Sequence, residues 1–389
     1  LHKVYKEIFL IGLNMAELLL EEISKSIVSS PYPTIIKWSE SILKLVGAKT
    51  YPILSLMPIS LFSPKIPLEN DEIMANISTL ILAPSGSGKS TLISKLFGGS
   101  CFNCLEMNRQ SAPKFIERLY ETSNASIVCP DIDIIFKDPI LMKVLEGICG
   151  EEQRVNSSNM ARERIFKMNA LFLGGVLPNS LTRYATFGML RRLFPLVMFH
   201  TTDERDDIYD KITQSAFKSN SKIVTTQTIK DYYSKIINIQ LGHDDEFKKI
   251  TGYVVKDDYV WGIREMHKKL SEHLPNDKYL MTELHAGFRF LVNSAMLNFF
   301  NRKKEMNGEE NNIVIEEQDF EVAKQLMYME MKMKSYIYNC FDEMMSDSNI
   351  SRLYDKVNNV EDNIYRGIAK IFLQERVNRK IVPTQNQKN

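Results

Sequence analysis

Hydrophobic and polar positions along this chain change period more than once. Apolar residues recur at helical spacing through Ile8, Ile11, Met15, Leu18 and Leu19, and again through Ile35, Ile36, Trp38, Ile42 and Leu45. That spacing predicts helices over about the first 48 residues. Pro52, Pro58, Pro64 and Pro67 then punctuate the chain and read as a linker. From Ile77 the pattern shortens: an apolar run over 77–82, a Gly-rich turn, and helical spacing over 91–97. Further apolar runs at 125–129, 170–176 and 194–199 read as buried strands, separated by helical stretches at 113–122, 141–149 and 206–217. This alternation predicts an α/β fold, a parallel sheet covered by helices on both faces. From about residue 225 the chain reads mostly helical. Residues 279–300 form a long amphipathic candidate, 307–312 a polar loop, and 318–333 another helix, preceded by the apolar Ile313-Val314-Ile315. Residues 384–389 are polar and are expected to fray. No internal repeat stands out.

Composition narrows the class only a little. Of 389 residues, 44% are hydrophobic and 25% charged, as in a soluble globular protein. The 49 basic and 48 acidic residues leave a net charge of +1, so any nucleic-acid contact must come from a local patch. Cys101, Cys104, Cys129, Cys149 and Cys340 are odd in number and scattered, which fits a reducing, cytoplasmic setting better than a disulfide framework. Cys101 and Cys104 form one CxxC without the second ligand pair that zinc would want, and read as small residues beside a buried strand. The apolar stretch 8–20 is broken by Gly12, Asn14 and Glu17 and is too short for a bilayer, so no membrane partner is expected. It also lacks a cleavage-site pattern for secretion. Leu at position 1 is what a processed or truncated chain would show.

The strongest chemical signal is Ala83-Pro84-Ser85-Gly86-Ser87-Gly88-Lys89-Ser90-Thr91, set between a strand pattern and a helix pattern. Gly86 and Gly88 let the backbone turn with its amides inward, forming an anion nest beside the positive end of the following helix. Lys89 would reach the β and γ phosphates of ATP, and Ser90 would offer its hydroxyl to Mg²⁺. The usual pattern opens with glycine where this chain has Ala83. A nucleotide hydrolase also needs an acid at the end of a nearby strand to order the magnesium shell and polarise water. The strand 125–129 runs into Pro130-Asp131-Ile132-Asp133, which makes Asp131 the first choice and Asp133 the second, unless Asp133 caps a helix.

Beyond the phosphate motif, several stretches in order resemble the AAA+ helicase core of the MCM family, over roughly residues 75–335. The likeness is to the divergent MCM-like and primase-associated helicases of plasmids and viruses. Pro130-Asp131-Ile132-Asp133 is similar to that family's Asp-Glu-Phe-Asp, with Pro in place of the first acid; the resemblance puts Asp131 at the catalytic Glu. The stretch from Ala170 through Pro178-Asn179 resembles the sensor strand, with Asn179 either a sensor or a helix cap. Gly188-Met189-Leu190-Arg191-Arg192-Leu193-Phe194 resembles the stretch that carries an arginine finger, Arg192 being favoured over Arg191 by register. Such a finger acts across a subunit boundary. Arg289-Phe290-Leu291 resembles the lid helix with the second sensor arginine, and residues 313–323 the lid's strand-like entry and acidic helix start. Capping and the helix dipole account equally for Glu316, Glu317 and Asp319.

The resemblance implies a P-loop (AAA+-like) core over 71–222 after a helical segment and linker at 1–70. A helical insert and lid follow at 223–345, then a helical tail at 346–389 that could begin a winged helix. It also implies ATP and Mg²⁺ as cofactors, DNA and a primase or other replication protein as partners, and a homo-oligomer, expected to be a hexameric ring. Helicases of this type place basic residues on hairpins beside the sensor strand. Arg154, Arg162, Arg164 and Lys167 fall in that interval and could neutralise phosphates, although Glu151, Glu152 and Glu163 favour reading it as a mixed, solvated surface. Arg302, Lys303 and Lys304 sit where a helix end favours cations by itself. Two other readings stay open: an initiator or assembly switch that binds DNA and hydrolyses ATP slowly, and a DNA-packaging or conjugation motor.

Overall fold

A computed structural model describes residues 53–83, 85–90, 93, 104–107, 111–122, 124–132, 135, 138–150, 154–159, 162–177, 192–197, 206, 209–210, 213, 226–272 and 281–346. In chain order, helix α1 (Ile53–Ser60) leads into a two-stranded ribbon of β1 (Ile66–Pro67) and β2 (Glu72–Ile73). The α/β part holds β3 (Thr79–Leu82), β4 (Cys104–Glu106), α2 (Ala112–Glu121), β5 (Asn124–Cys129) and α3 (Pro139–Cys149). It continues with an antiparallel hairpin of β6 (Arg154–Asn159) and β7 (Arg162–Lys167), then β8 (Asn169–Val176) and β9 (Phe194–Val197). The helical part holds α4 (Thr226–Leu241), β10 (Gly252–Val254), α5 (Asp257–Glu272), α6 (Met281–Leu297), β11 (Lys304–Asn307), β12 (Glu310–Val314) and α7 (Glu317–Ser346).

The five-stranded sheet runs in the order β4-β5-β8-β3-β9 and every pairing in it is parallel. All four residues of β3 and of β9 are buried, and seven of the eight in β8, which is the near-continuous apolar run a doubly covered parallel strand requires. Alternate side chains enter different cores. Ile81, Leu171 and Leu173 join a cluster with α1, α4 and α6. Leu80, Leu82, Ala170 and Phe172 join one with α2 and α3. The predicted strands and the helices at 113–122 and 141–149 are therefore present, within a residue or two, while the helices predicted over 91–97 and 206–217 lie largely outside the described residues. Pro139 at the first helical turn and Asp138 start α3: the Asp138 carboxylate accepts from the Ile140 amide at 2.9 Å and the Leu141 amide at 3.3 Å. Among the described residues no helix is long and apolar enough to cross a membrane.

Three expectations are corrected. The proline-punctuated linker contains α1, whose eight residues are all buried with Pro58 inside the helix. Burial outweighs the lost backbone donor, because an apolar helix this short is held by packing rather than by its ladder. The polar loop 307–312 is the tip of the β11–β12 hairpin, turned by Gly308 at φ 64° and pairing β12 in parallel with β10. The helix expected over 318–333 runs thirty residues, from Glu317 to Ser346.

Polar bonds fasten α1 to both parts. Tyr233 Oη donates to the Ser55 carbonyl at 3.0 Å and Gln240 Nε2 to the Ile59 carbonyl at 3.2 Å. Ser60 Oγ accepts from the Ile77 amide at 3.1 Å, just ahead of β3. Ser63 Oγ donates to Asn293 Oδ1 at 2.8 Å, and Asn293 Nδ2 donates to the Ala75 carbonyl at 2.7 Å. Arg302, read from sequence as a helix-end cation, is instead buried. Its Nε and Nη2 donate to the two Asp319 oxygens at 2.8 and 2.7 Å. Asp319 also accepts from Ser294 Oγ and from the Glu316 amide, both at 3.0 Å, the latter the return bond of a capped helix start.

Candidate functional site

The Gly-rich turn leaves the C-terminal end of β3, the strand that separates β8 from β9. Ligands of open parallel sheets collect at this end. Gly86 and Gly88 have φ of 78° and 85°, a conformation that L side chains resist. A β-carbon at Gly86 would meet nothing within 4 Å, so the turn is open on its outer side. Lys89 and Ser90 are the first residues in helical conformation, which points a helix N-terminus at the turn. Ala83, found where the pattern has glycine, is fully buried and donates its amide to the Val176 carbonyl at 3.3 Å, extending the β3–β8 pairing.

Lys89 is 7% exposed, and its side chain crosses the end of β8. A β-carbon at Gly175 would come within 2.4 Å of the Pro130 carbonyl oxygen, 2.7 Å of Lys89 Cδ and 3.0 Å of Lys89 Cε. The loop after β5 thus folds over β8, where the Ile132 amide donates to the Gly175 carbonyl at 2.9 Å. Asp131, half-buried in that loop, stands at the same end of the sheet as Lys89. Ser85 and Ser90 are exposed and Ser87 is buried. The sequence singles out the turn, Lys89 and Asp131 but not Gly175, whose place depends on β8 lying between the two loops.

The chemistry of these residues is the kind a triphosphate with magnesium would need. An open turn with two left-handed glycines, a lysine and a helix start supply phosphate donors. Among the described residues no group of three or more His, Cys, Asp or Glu is positioned to hold a metal on its own. Nucleotide-bound magnesium needs one or two protein oxygens, because phosphates and water complete its shell, and Ser90 and Asp131 are of that chemistry. Pro84, Thr91, Asp133, Asn179 and Arg191 lie outside the described residues.

Arg192 and Arg289 occupy a different place. With Asn76, Ile77, Ser78, Cys149, Phe194, Phe290 and Glu330 they line a pocket at the N-terminal ends of β3 and β9. Arg289 on α6 donates Nε to the Met74 carbonyl at 2.9 Å, and Arg192 is exposed at the entry to β9. Burial pushes the Cys149 thiol pKa up, and the nearby Arg192 charge opposes the rise. The length of β3, about 13 Å for four residues, separates this pocket from the glycine turn. Arg289, read from sequence as a nucleotide-binding arginine, lies at the other end of β3 from the glycine turn of its own chain. Its helix packs against the strand starts, and sequence spacing cannot say which end of a sheet a helix covers. Arg192 and Arg289, nearly a hundred residues apart, nonetheless share one pocket.

The four basic residues read as nucleic-acid contacts all lie on the β6–β7 hairpin, directly before β8. Arg154 pairs with Lys167, Ser157 with Arg164 and Asn159 with Arg162. Periodicity missed these strands because both are too polar to resemble a buried segment.

No protein-family model matches this sequence, and no curated protein matches it either.

Proposed function

We propose that this chain is an ATP-hydrolysing DNA motor, a replicative helicase like the MCM-like helicases of plasmids and viruses, working as a ring of identical subunits. The observation that carries the reading is the separation of two half-sites. The glycine turn, Lys89 and Asp131 lie at one end of the strands, and Arg192 and Arg289 at the other. Two guanidiniums that cannot reach their own chain's phosphates suit the phosphates of a neighbour, so one complete site forms at each subunit boundary.

In that arrangement the amides around Gly86 and Gly88 hold the phosphates, and Lys89 neutralises charge on the β and γ groups. Magnesium, when bound through Ser90 and Asp131, would supply further charge neutralisation. Asp131 orients the attacking water. The neighbour's Arg192 stabilises charge spreading onto the transferred group, and Arg289 beside it adds a second fixed cation. The β6–β7 hairpin, carrying Arg154, Arg162, Arg164 and Lys167, is the element suited to grip the DNA backbone.

The test is complementation. Lys89→Ala and Arg192→Ala should each abolish DNA-stimulated ATP hydrolysis alone. Mixed one to one, random assembly restores about a quarter of the boundaries, and with them about a quarter of the activity. A mixture as inactive as its parts would overturn the shared site. One observation favours a second reading, a switch that hydrolyses slowly: Pro130 stands where the resembled family has its first acid. A forked-duplex displacement assay with ATP separates the two, since a switch would leave the fork intact.

A further inference from the structure

Glu330 and Lys334 form an ion pair one turn apart on α7, with Lys334 Nζ donating to Glu330 Oε1 at 2.7 Å. Glu330 is 3% exposed and Lys334 fully buried. A buried pair of this kind is a poor source of stability, because apolar residues of similar size would serve as well or better. Its position suggests another use. Glu330 lines the pocket that Arg192 and Arg289 line, and it is the one acid among the described residues that do so. Lys334 holds this carboxylate from behind, and the two guanidiniums line the same pocket as it does. Two guanidiniums gathered in a partly desolvated corner would otherwise repel each other and turn outward. A carboxylate has two oxygens and several lone pairs, so accepting from Lys334 leaves capacity toward the pocket.

We infer that Glu330, held by Lys334, is the positioning residue that keeps Arg192 and Arg289 together and aimed for a phosphate of the adjoining subunit. This rests on the shared-site reading above. Glu330 itself touches no phosphate; it acts through the arginines. The pocket lining holds two guanidiniums against one carboxylate, and the buried Lys334 behind Glu330 offsets that carboxylate, so the lining keeps a net positive charge suited to the γ-phosphate of a neighbour's nucleotide.

The test uses the full chain assembled with DNA. Glu330→Gln should lower turnover about tenfold or more while nucleotide affinity, set by the glycine turn of the same chain, stays within about twofold. Because that change strands Lys334, the paired variant Glu330→Gln with Lys334→Met is made as well. It removes both charges, should melt within a few degrees of the parent, and should stay about tenfold slow. Mixing the paired variant with Lys89→Ala should raise activity as far as mixing Arg192→Ala with Lys89→Ala does. Parental turnover in the paired variant would reduce Glu330 to a structural role. So would failure to complement where Arg192→Ala succeeds. If Arg192→Ala also fails to complement, the shared site itself is wrong and this inference falls with it.

Discussion

The side chain of Lys89 lies against the α-carbon of Gly175, so close that a β-carbon there would sit 2.7 Å from the lysine Cδ and 2.4 Å from the Pro130 carbonyl oxygen. Glycine is therefore required at the end of β8 for a reason unrelated to backbone dihedrals. It lets the lysine and the acid-bearing loop approach from opposite sides. Gly175→Ala should move both. The expected cost is about 1–3 kcal/mol of stability through overpacking, with nucleotide affinity reduced about tenfold. Urea unfolding together with titration of a fluorescent ATP analogue measures the two effects.

Arg289 lies at the far end of the strands from the glycine turn, and this gives a sharp expectation. Arg289→Ala should leave ATP affinity within about twofold while lowering turnover about tenfold or more if, as proposed above, the side chain serves the adjacent subunit. Equilibrium nucleotide binding compared with steady-state hydrolysis checks this split. A lid arginine acting on its own nucleotide would weaken both.

Arg302 and Asp319 are a buried, bidentate pair at the root of α7, where Asp319 also holds Ser294 and the Glu316 amide. Arg302→Met strands that carboxylate and should destabilise the chain by about 3–5 kcal/mol. Adding Asp319→Leu should recover only part of the loss, because the Ser294 hydroxyl and the Glu316 amide then lose their acceptor. Chemical denaturation of the single and double variants gives the comparison.

Cys104 tests the CxxC from the chemical side. Burial, with the Glu106 charge adding to it, pushes this thiol from 9.0 up to about 11. The folded state therefore favours the neutral thiol. That preference contributes stability in full below pH 9 and is lost as pH rises through about 11. At pH 8 the thiolate fraction, and hence the alkylation rate, should be about a hundredfold below that of the unfolded chain. Mass-resolved labelling with iodoacetamide at pH 8, with and without urea, gives the ratio. A redox-active pair would label faster when folded.

The sheet and its glycine turn were legible because their signals are local. β3, β5, β8 and β9 are continuous apolar runs, and the glycines precede a lysine at fixed spacing. The small β10-β12-β11 sheet was not legible. Its parallel pairing joins Tyr253 to Ile313 across sixty residues, and Lys304–Asn307 is as polar as a loop. Pro58 concealed α1, because proline reads as a breaker wherever its surroundings cannot be seen. The places of Arg289 and Glu330 in one pocket were hidden for another reason. Which end of the strands a later helix covers is set by packing between elements far apart in sequence.

Helix α1 has a mechanical consequence. Hydrogen bonds from Tyr233 and Gln240 on one side, and from Ile77 on the other, stitch it between the helical part and the strand that leads to the glycine turn. Asn293 and Ser63 add a second stitch. Within one protomer these bonds make a hinge between sheet and helices costly, so the protomer should travel as one solid piece. If the proposed ring forms, a stroke driven by nucleotide turnover would then have to appear as sliding or rotation of whole protomers against one another.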